Sequence, residues 1–225
     1  MSSPTSTRLN RDIRAHIPPA SDVPGVISLR EADAAVWRLA APHLAVRNND
    51  SHTLYAYGIA RALLPLVPDA DPDVVLPAIL LHDTGWSTVS EALILEAIAP
   101  GGGRPDLVRR HEVEGARIAS SVLSELGRPA ELVARAVEII DGHDSRSVAL
   151  SPSDAVVKDA DKVWRVTPHG VDIVCGWFDL TREESLRITS LRVQGSLFTE
   201  PARAMARGFA AIGSIDVAPE RQGLR

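Results

Sequence analysis

The sequence of 225 residues predicts an all-α fold, a single domain built as a helical bundle. Helix-start signals recur along the chain, each a capping side chain followed by proline or an acidic residue. No stretch alternates apolar and polar residues convincingly, as a half-buried strand would. Neither a repeat nor a domain linker is visible. We therefore expect about seven to ten helices in one domain.

The first part of the chain predicts an arm followed by two helices. Residues 1–27 are rich in Ser, Thr and Pro, which is typical of a mobile or loosely packed segment. Ser28 is expected to cap a helix with the sequence "LREADAAVWRLAAPHL". A second helix carries "SHTLYAYGIARALL" and ends before Pro68. We expect the helical domain to span residues 28–212, with a short tail over 213–225.

The third helix has a strong start and an unusual end. Asp71-Pro72-Asp73 combines a cap, a proline in the first turn and an acidic residue. The apolar stretch that follows ends abruptly at His82-Asp83. Burial of an ionised carboxylate without a partner is costly, so Asp83 is expected to bind something. Thr84-Gly85 is predicted to form a bend that turns both side chains inward.

The remaining helices are also bounded by caps and prolines. Their predicted starts are Pro105, Pro129, Ser151-Pro152, the capping box of Thr181 and Glu184, and the stretch "PARAMARGFAAIG"; Gly127 is a predicted C-terminal cap. The loop "APGGGRP" at residues 99–105 lacks the Lys-Ser/Thr of a phosphate-binding loop, and no strand precedes it. We interpret it as a flexible lid or turn.

Composition excludes several classes of protein. A net charge of −5 and an aromatic content of 4% argue against a nucleic-acid partner. The single cysteine, Cys175, cannot build a disulfide framework, and no GxSxG motif of serine hydrolases is present. The N-terminus lacks the apolar core of a signal peptide, and no apolar run is long enough to span a bilayer. We expect a cytoplasmic protein without a membrane partner.

Histidines on successive predicted helices point to metal chemistry. His52, His82, His111 and His143 are spaced by about 30 residues, roughly one helix pair with its turns, and Asp83 and Asp161 join them. Imidazole and carboxylate suit Fe, Mn, Zn, Co or Ni. Two divalent ions with these ligands and a bridging hydroxide would leave a small positive charge. This favours a small anionic substrate and an activated nucleophile.

The order of His52, His82-Asp83 and Asp161 resembles that of the HD superfamily of metal-dependent phosphohydrolases, whose fold is all-helical. The additional His111 and His143 resemble the two-metal branches of that superfamily. Those branches include cyclic-nucleotide and cyclic-dinucleotide phosphodiesterases and mixed-valent di-iron oxygenases. The resemblance covers roughly residues 45–170, so the domain expected over residues 28–212 would be an HD-domain helical bundle.

The resemblance implies a ligand set for two divalent metals. The first would be held by His52, His82, Asp83 and Asp161, and the second by His111, His143 and a bridging Asp83. The chain departs from the family pattern in two respects. It lacks the GYP motif of the cyclic-dinucleotide branch, and Trp86 stands where many relatives carry histidine. Asp159 is a rival to Asp161 on the same predicted helix.

Helical spacing suggests which side chains accompany the ligands. Lys158 and Arg165 flank Asp161, and Tyr55 flanks His52, so all three are candidate substrate contacts, with Lys158 also assisting catalysis. Gly115, one turn after His111, would permit a close helix approach. Further candidate substrate contacts are Arg104, Ser145 and Arg146. Asp144 is a rival to Asp83 and is interpreted as a loop residue supporting His143. The alternative for each candidate is a structural ion pair or exposure to solvent.

The leading hypothesis is a phosphohydrolase acting on a small phosphate ester or nucleotide, in which a metal-bridging hydroxide attacks phosphorus. Two alternatives stay open. The same six ligands could hold two irons and oxidise a small polar substrate with O₂, or the metal-bearing core could be a non-catalytic sensor. For the assembly of the protein, a homodimer stays open.

Overall fold

The computed structural model describes residues 13–223, and within them it contains eleven α-helices and no β-strand. The helices are α1 (Glu31–Ala40), α2 (Asn49–Leu63), α3 (Pro72–Leu81), α4 (Glu91–Ile98), α5 (Pro105–Glu125), α6 (Ala130–Ile140), α7 (Pro152–Val163), α8 (Pro168–Phe178), α9 (Arg182–Gln194), α10 (Glu200–Val217) and α11 (Pro219–Gln222). The all-α prediction is confirmed. The number of helices exceeds the expected range by one. The starts of α4, α8 and the short α11 were not among those predicted.

The N-terminal arm lies partly outside the described residues. From Ile13 the chain forms two short 3₁₀ turns, Ile13–His16 and Ala20–Asp22, neither of which buries a residue. Helix α1 begins at Glu31 and not after Ser28, because Arg30 occupies the N-cap position. The Arg30 guanidinium binds the buried carboxylate of Asp33 at 2.6 Å, which fixes the first turn of α1.

Most predicted helix starts have the expected capping contacts. The Asp71 carboxylate accepts the Asp73 amide at 3.0 Å, and the Ser151 hydroxyl accepts the Asp154 amide at 3.1 Å. The capping box of Thr181 and Glu184 is complete. Such caps satisfy backbone donors that have no partner inside the helix.

The helix ends agree less uniformly with the sequence. Gly127 follows α5 with a φ of +66°, as a left-handed C-terminal cap requires. Helix α10 continues without a break to Val217, beyond residue 212, where the helical domain was expected to end. No helix of the described region is long and apolar enough to cross a membrane.

Helix α3 is the central element of the bundle. It packs against α1, α2, α6 and α7, and its residues from Val74 to Leu81 are all buried. A helix that is apolar on every side must be surrounded by others, which explains the continuous run of apolar residues. Its C-terminal end therefore delivers His82 and Asp83 to the interior.

Two glycines bring the turn after α3 against α5. A Cβ atom at Gly85 would overlap the carbonyl oxygen of His111 and lie 2.6 Å from the amide nitrogen of Gly115. A Cβ atom at Gly115 would lie 3.0 Å from the carbonyl oxygen of His82. The predicted bend at Thr84-Gly85 is present as a 3₁₀ turn. Gly85 is not in the left-handed region, so glycine is needed there for the close backbone contact and not for its φ angle.

Candidate metal centre

The structure brings the six predicted ligands together from five helices or their ends. They are His52 on α2, His82 and Asp83 after α3, His111 on α5, His143 after α6, and Asp161 on α7. All six are buried, with at most 5% of their surface exposed. Buried polar groups need partners, so the partners within this cluster define its chemistry.

The first half of the cluster contains His52, His82 and Asp161. The Nε2 atoms of His52 and His82 are 3.1 Å apart. The Oδ1 atom of Asp161 lies 3.3 Å from Nε2 of His52 and 3.7 Å from Nε2 of His82. Three donor atoms this close can share one cation.

The second half contains His111 and His143, whose Nε2 atoms are 3.4 Å apart. Asp83 lies between the two halves. Its Oδ2 atom is 3.4 Å from Nε2 of His52 and 3.7 Å from Nε2 of His82. Its Oδ1 atom is 3.9 Å from Nε2 of His111 and 3.7 Å from Nε2 of His143. Each carboxylate oxygen thus faces a different histidine pair, as a carboxylate shared by two cations would.

Hydrogen bonds to the backbone show that this cluster fits metal ions. Nδ1 of His82 donates to the carbonyl of Ile79 at 2.8 Å, and Nδ1 of His143 donates to the carbonyl of Ile140 at 2.9 Å. A carbonyl only accepts, so in each neutral ring the proton is on Nδ1 and Nε2 presents a lone pair. These lone pairs face the Nε2 atoms of neighbouring imidazoles, an arrangement that a divalent cation stabilises.

The two buried carboxylates carry negative charge. Burial opposes the ionisation of Asp83, but His82 and then His143 hold its pKa well below the usual value. Burial also opposes the ionisation of Asp161, and there Arg165 and His52 hold the pKa well below its usual range. The cluster therefore supplies anionic oxygen ligands beside the histidine nitrogens.

The second histidine pair is electrostatically asymmetric. Burial, followed by the neighbouring His143, lowers the pKa of His111 to about 4. Burial also disfavours a charged His143, yet Asp144 and Asp83 raise its pKa to about 9. In the absence of metal, His143 therefore carries the additional proton, and a bound cation would replace that proton.

Arg165 is a predicted substrate contact that the structure places beside the ligands. Its Nη1 atom lies 3.4 Å from Oδ2 of Asp161. Tyr55 is close in sequence to His52 but points elsewhere, with 46% of its surface exposed. Its ring stacks on His169 with the ring centroids 4.2 Å apart.

Lys158 is placed differently from its predicted role in catalysis and substrate binding. The residue is fully buried, and its Nζ atom donates to the carbonyls of Arg146 at 2.9 Å and Val148 at 2.8 Å. Its carboxylate neighbour is Asp154, at 3.6 Å, and none of its contacts is with the six predicted ligands. The ammonium therefore fixes the loop before α7, because a buried cation must be fully paired.

The three remaining predicted contacts, Arg104, Ser145 and Arg146, all interact with other groups of the protein. Arg146 donates to the carbonyl of Glu138 at 3.0 Å and to that of Asp141. Arg104 forms an exposed ion pair with Asp106 at 2.9 Å. The Ser145 hydroxyl donates to Glu112 at 2.8 Å.

Arg47 is a residue near the ligands that the sequence did not indicate. Only 9% of the surface of Arg47 is exposed. Its guanidinium lies 4.5 Å from the ring centroid of Trp177, and its Nη2 atom is 4.0 Å from Oδ2 of Asp83. Its Nε atom has no hydrogen-bond partner among the described residues. Arg47 and Asn48 have φ values of 50° and 59°, a turn that aims the side chain inward. The Asn-Asn pair at 48–49 could have predicted this turn, but not its target.

Two acidic residues lie beside the second histidine pair. Glu112 was not predicted, and Asp144 was interpreted as a loop residue. Glu112 is buried and accepts the amides of Asp144 at 3.0 Å and Ser145 at 2.7 Å. Oδ2 of Asp144 lies 3.4 Å from Nε2 of His111 and 3.8 Å from Nε2 of His143. The available signal was the repeated His-Asp dipeptide, at 82–83 and again at 143–144.

Comparison with known families agrees with this arrangement. The family model of the HD domain matches residues 49–165, which contain all six predicted ligands. Comparisons with curated proteins and with solved structures gave no significant match. A match over more than half of the chain, with the paired histidines and aspartates gathered at one buried centre, shows that this chain belongs to the HD domain family.

Proposed function

We propose that this HD-domain protein is a metal-dependent phosphohydrolase that uses two divalent ions on a small phosphate ester or nucleotide. The observation that carries the proposal is the position of Asp83, whose two oxygens face two separate histidine pairs. When bound, the ions would lower the pKa of water and offset charge on phosphoryl oxygens. This is the chemistry required for phosphoryl transfer to water.

The protein's own residues hold the donor atoms in place before substrate arrives. The carbonyls of Ile79 and Ile140 fix the rings of His82 and His143. The edge of the His52 ring meets the indole of Trp164, with centroids 4.5 Å apart. A preorganised site of this kind does not have to reorder its ligands during the reaction.

Two arginines support an anionic substrate. Arg47 lies beside Asp83, and Arg165 lies beside Asp161. Each guanidinium has more donors than a single carboxylate contact uses, and its planar shape suits phosphate. Together with two divalent ions they outweigh the charge of Asp83, Asp144 and Asp161. The substrate's phosphoryl group would lie between these arginines and the metal ligands.

The proposal is tested by assaying purified protein loaded with Mn²⁺, Co²⁺ or Ni²⁺ against phosphomonoesters, nucleotides and phosphodiesters. We expect metal-dependent release of phosphate or a nucleotide. Asp83→Ala should abolish turnover and sharply lower the metal content, while the exposed Asp69→Ala should change neither. A wild-type protein with a filled site and no turnover of any phosphoester would contradict the proposal.

The same ligands could hold iron, so the assay includes an aerobic control. Protein loaded with iron is exposed to O₂ and followed by its optical spectrum. Consumption of O₂ with oxidation of a small polar substrate, without phosphoester hydrolysis, would assign the chain to an oxygenase activity instead.

A further inference from the structure

We propose that Asp144 is a seventh protein ligand, which binds the second metal ion together with His111 and His143. The inference rests on the two-metal site of the proposed function. It makes the two halves of the centre alike, since each would have two histidines and one terminal aspartate, with Asp83 shared.

The local structure of the second half repeats that of the first. His82-Asp83 and His143-Asp144 each follow directly or almost directly on a buried helix end, that of α3 or α6. Nδ1 of each histidine donates to the carbonyl three residues earlier, Ile79 or Ile140. The same Nδ1 hydrogen bond thus directs both Nε2 atoms to the centre, and an aspartate stands next to each histidine in the sequence.

The distances in the two halves agree closely. Oδ1 of Asp161 is 3.3 and 3.7 Å from the Nε2 atoms of His52 and His82. Oδ2 of Asp144 is 3.4 and 3.8 Å from the Nε2 atoms of His111 and His143. Both sets of three donor atoms are compact enough to hold one metal ion. Asp144 therefore occupies the position toward the second pair that Asp161 occupies toward the first.

Asp144 is also held by a residue from the helix that carries His111. Glu112, which is buried, accepts the backbone amides of Asp144 and Ser145. Arg109, one turn earlier on α5, pairs with Glu112 at 3.1 Å. The backbone of Asp144 is thus tied to the next residue after His111, so the carboxylate is positioned in advance.

The charges of the centre are consistent with a third carboxylate. Asp83, Asp144 and Asp161 together carry −3, against +4 from two divalent ions. Asp144 is also the terminal carboxylate more open to solvent, with 27% of its side chain exposed, compared with 4% for Asp161. A carboxylate beside two neutral nitrogens at a partly open position suits a divalent ion that also binds substrate.

The test compares Asp144→Asn with wild type and with Asp141→Asn, which removes a carboxylate three residues earlier that pairs with Arg109. Mn²⁺ and Co²⁺ are titrated by calorimetry, and bound metal is counted after dialysis. We expect two ions in wild type and in Asp141→Asn. In Asp144→Asn we expect one of the two sites to lose at least about tenfold in affinity, with the other unchanged.

Two outcomes would overturn the inference: two ions bound by Asp144→Asn with wild-type affinities, or one ion only bound by the wild-type chain. A crystal structure of wild type with Mn²⁺, read by anomalous scattering, needs no variant. It should place an Asp144 oxygen within about 2.0–2.3 Å of the second ion, and a separation beyond hydrogen-bond range would contradict the proposal. These measurements do not use turnover, so failure of the phosphohydrolase assay would leave the assignment of Asp144 standing.

Discussion

The indole of Trp86 lies parallel to the imidazole of His111, with ring centroids 3.9 Å apart and an interplanar angle of 8°. Nδ1 of His111 has no hydrogen-bond partner among the described residues. A metal-binding histidine is usually held in position by a hydrogen bond at its second nitrogen. Here the aromatic stack takes over that task, which gives a physical reason for tryptophan at position 86.

Replacement of Trp86 should therefore lower the metal affinity of the second site, and more so when the new side chain cannot stack on His111. Trp86→Leu is expected to lower the affinity for the second Mn²⁺ by about tenfold, because the ring of His111 becomes free to turn. Trp86→Phe keeps an aromatic face and should cost much less. Calorimetric titration of both variants checks this, and equal affinities in the two would refute it.

Asp159 and Asp161 lie two residues apart, but their replacement by asparagine should affect different properties of the protein. Asp161 faces His52 at 3.3 Å, so Asp161→Asn should remove the first metal while the helical fold is kept. Asp159 accepts the amides of Phe198 at 2.7 Å and Thr199 at 2.9 Å. Asp159→Asn should keep both metals and lower the free energy of unfolding by about 1–3 kcal/mol. Metal analysis and denaturant unfolding of both variants decide; metal loss in Asp159→Asn would reverse the assignment.

Gly85→Ala should be among the most destabilising small changes in the chain. Its new Cβ would overlap the backbone of α5 at His111, which cannot move aside as a flexible side chain could. We expect a loss of about 3 kcal/mol, the upper end for an overpacked core. Gly58→Ala on α2 is the control, because a Cβ there meets no atom within 4 Å. It should be neutral or stabilise the helix by up to about 1 kcal/mol, as measured by thermal unfolding.

Lys158 should prove important for stability and not for metal binding. Lys158→Met leaves the carbonyls of Arg146 and Val148 without their donor, and Asp154 keeps Arg146 as a cation but loses the ammonium at 3.6 Å. We expect a loss of about 3 kcal/mol in the free energy of unfolding, with an unchanged number of metals in the folded protein. Lys162→Met, one turn away and partly exposed, should change stability by less than about 1 kcal/mol. An intact stability combined with lost turnover would restore a catalytic role for Lys158.

Replacement of Arg47 or Arg165 should weaken phosphate binding and leave the metal content unchanged. In metal-loaded protein, Arg47→Met or Arg165→Met is expected to raise the Kd for inorganic phosphate by about tenfold, the equivalent of one charged hydrogen bond. Arg104→Met, which removes an exposed ion pair, should have no effect. If either variant loses metal while the remaining protein binds phosphate normally, that arginine serves only to support its neighbouring carboxylate.

Local signals predicted much of the fold and named the histidines and aspartates that lie together at the centre. The caps at Asp71, Ser151 and Thr181 depend on residues within one helical turn, so the sequence displays them directly. Thr167 and Pro168 are an equally local start signal for α8, which was not among the predicted helix starts. The histidines were recognised because their chemistry is distinctive at each position.

Contacts between distant segments could not be predicted in the same way. Helical spacing placed Lys158 beside Asp161, but its partners are carbonyls ten and twelve residues earlier in the chain. Arg47 reaches Asp83 from a left-handed turn, and Glu112 holds a loop more than thirty residues away. These contacts depend on how the helices pack, which no single segment encodes.

The close contact of Gly85 with Gly115 has a consequence for metal selectivity. The turn that carries His82 and Asp83 is joined to the helix that carries His111 by main-chain atoms, with no side chain between them that could yield. The separation of two ions held by these residues would therefore be set by the crossing of two backbone segments. We expect ions of different radius to be accommodated by rotation of the carboxylates, while the distance between the two sites stays nearly constant.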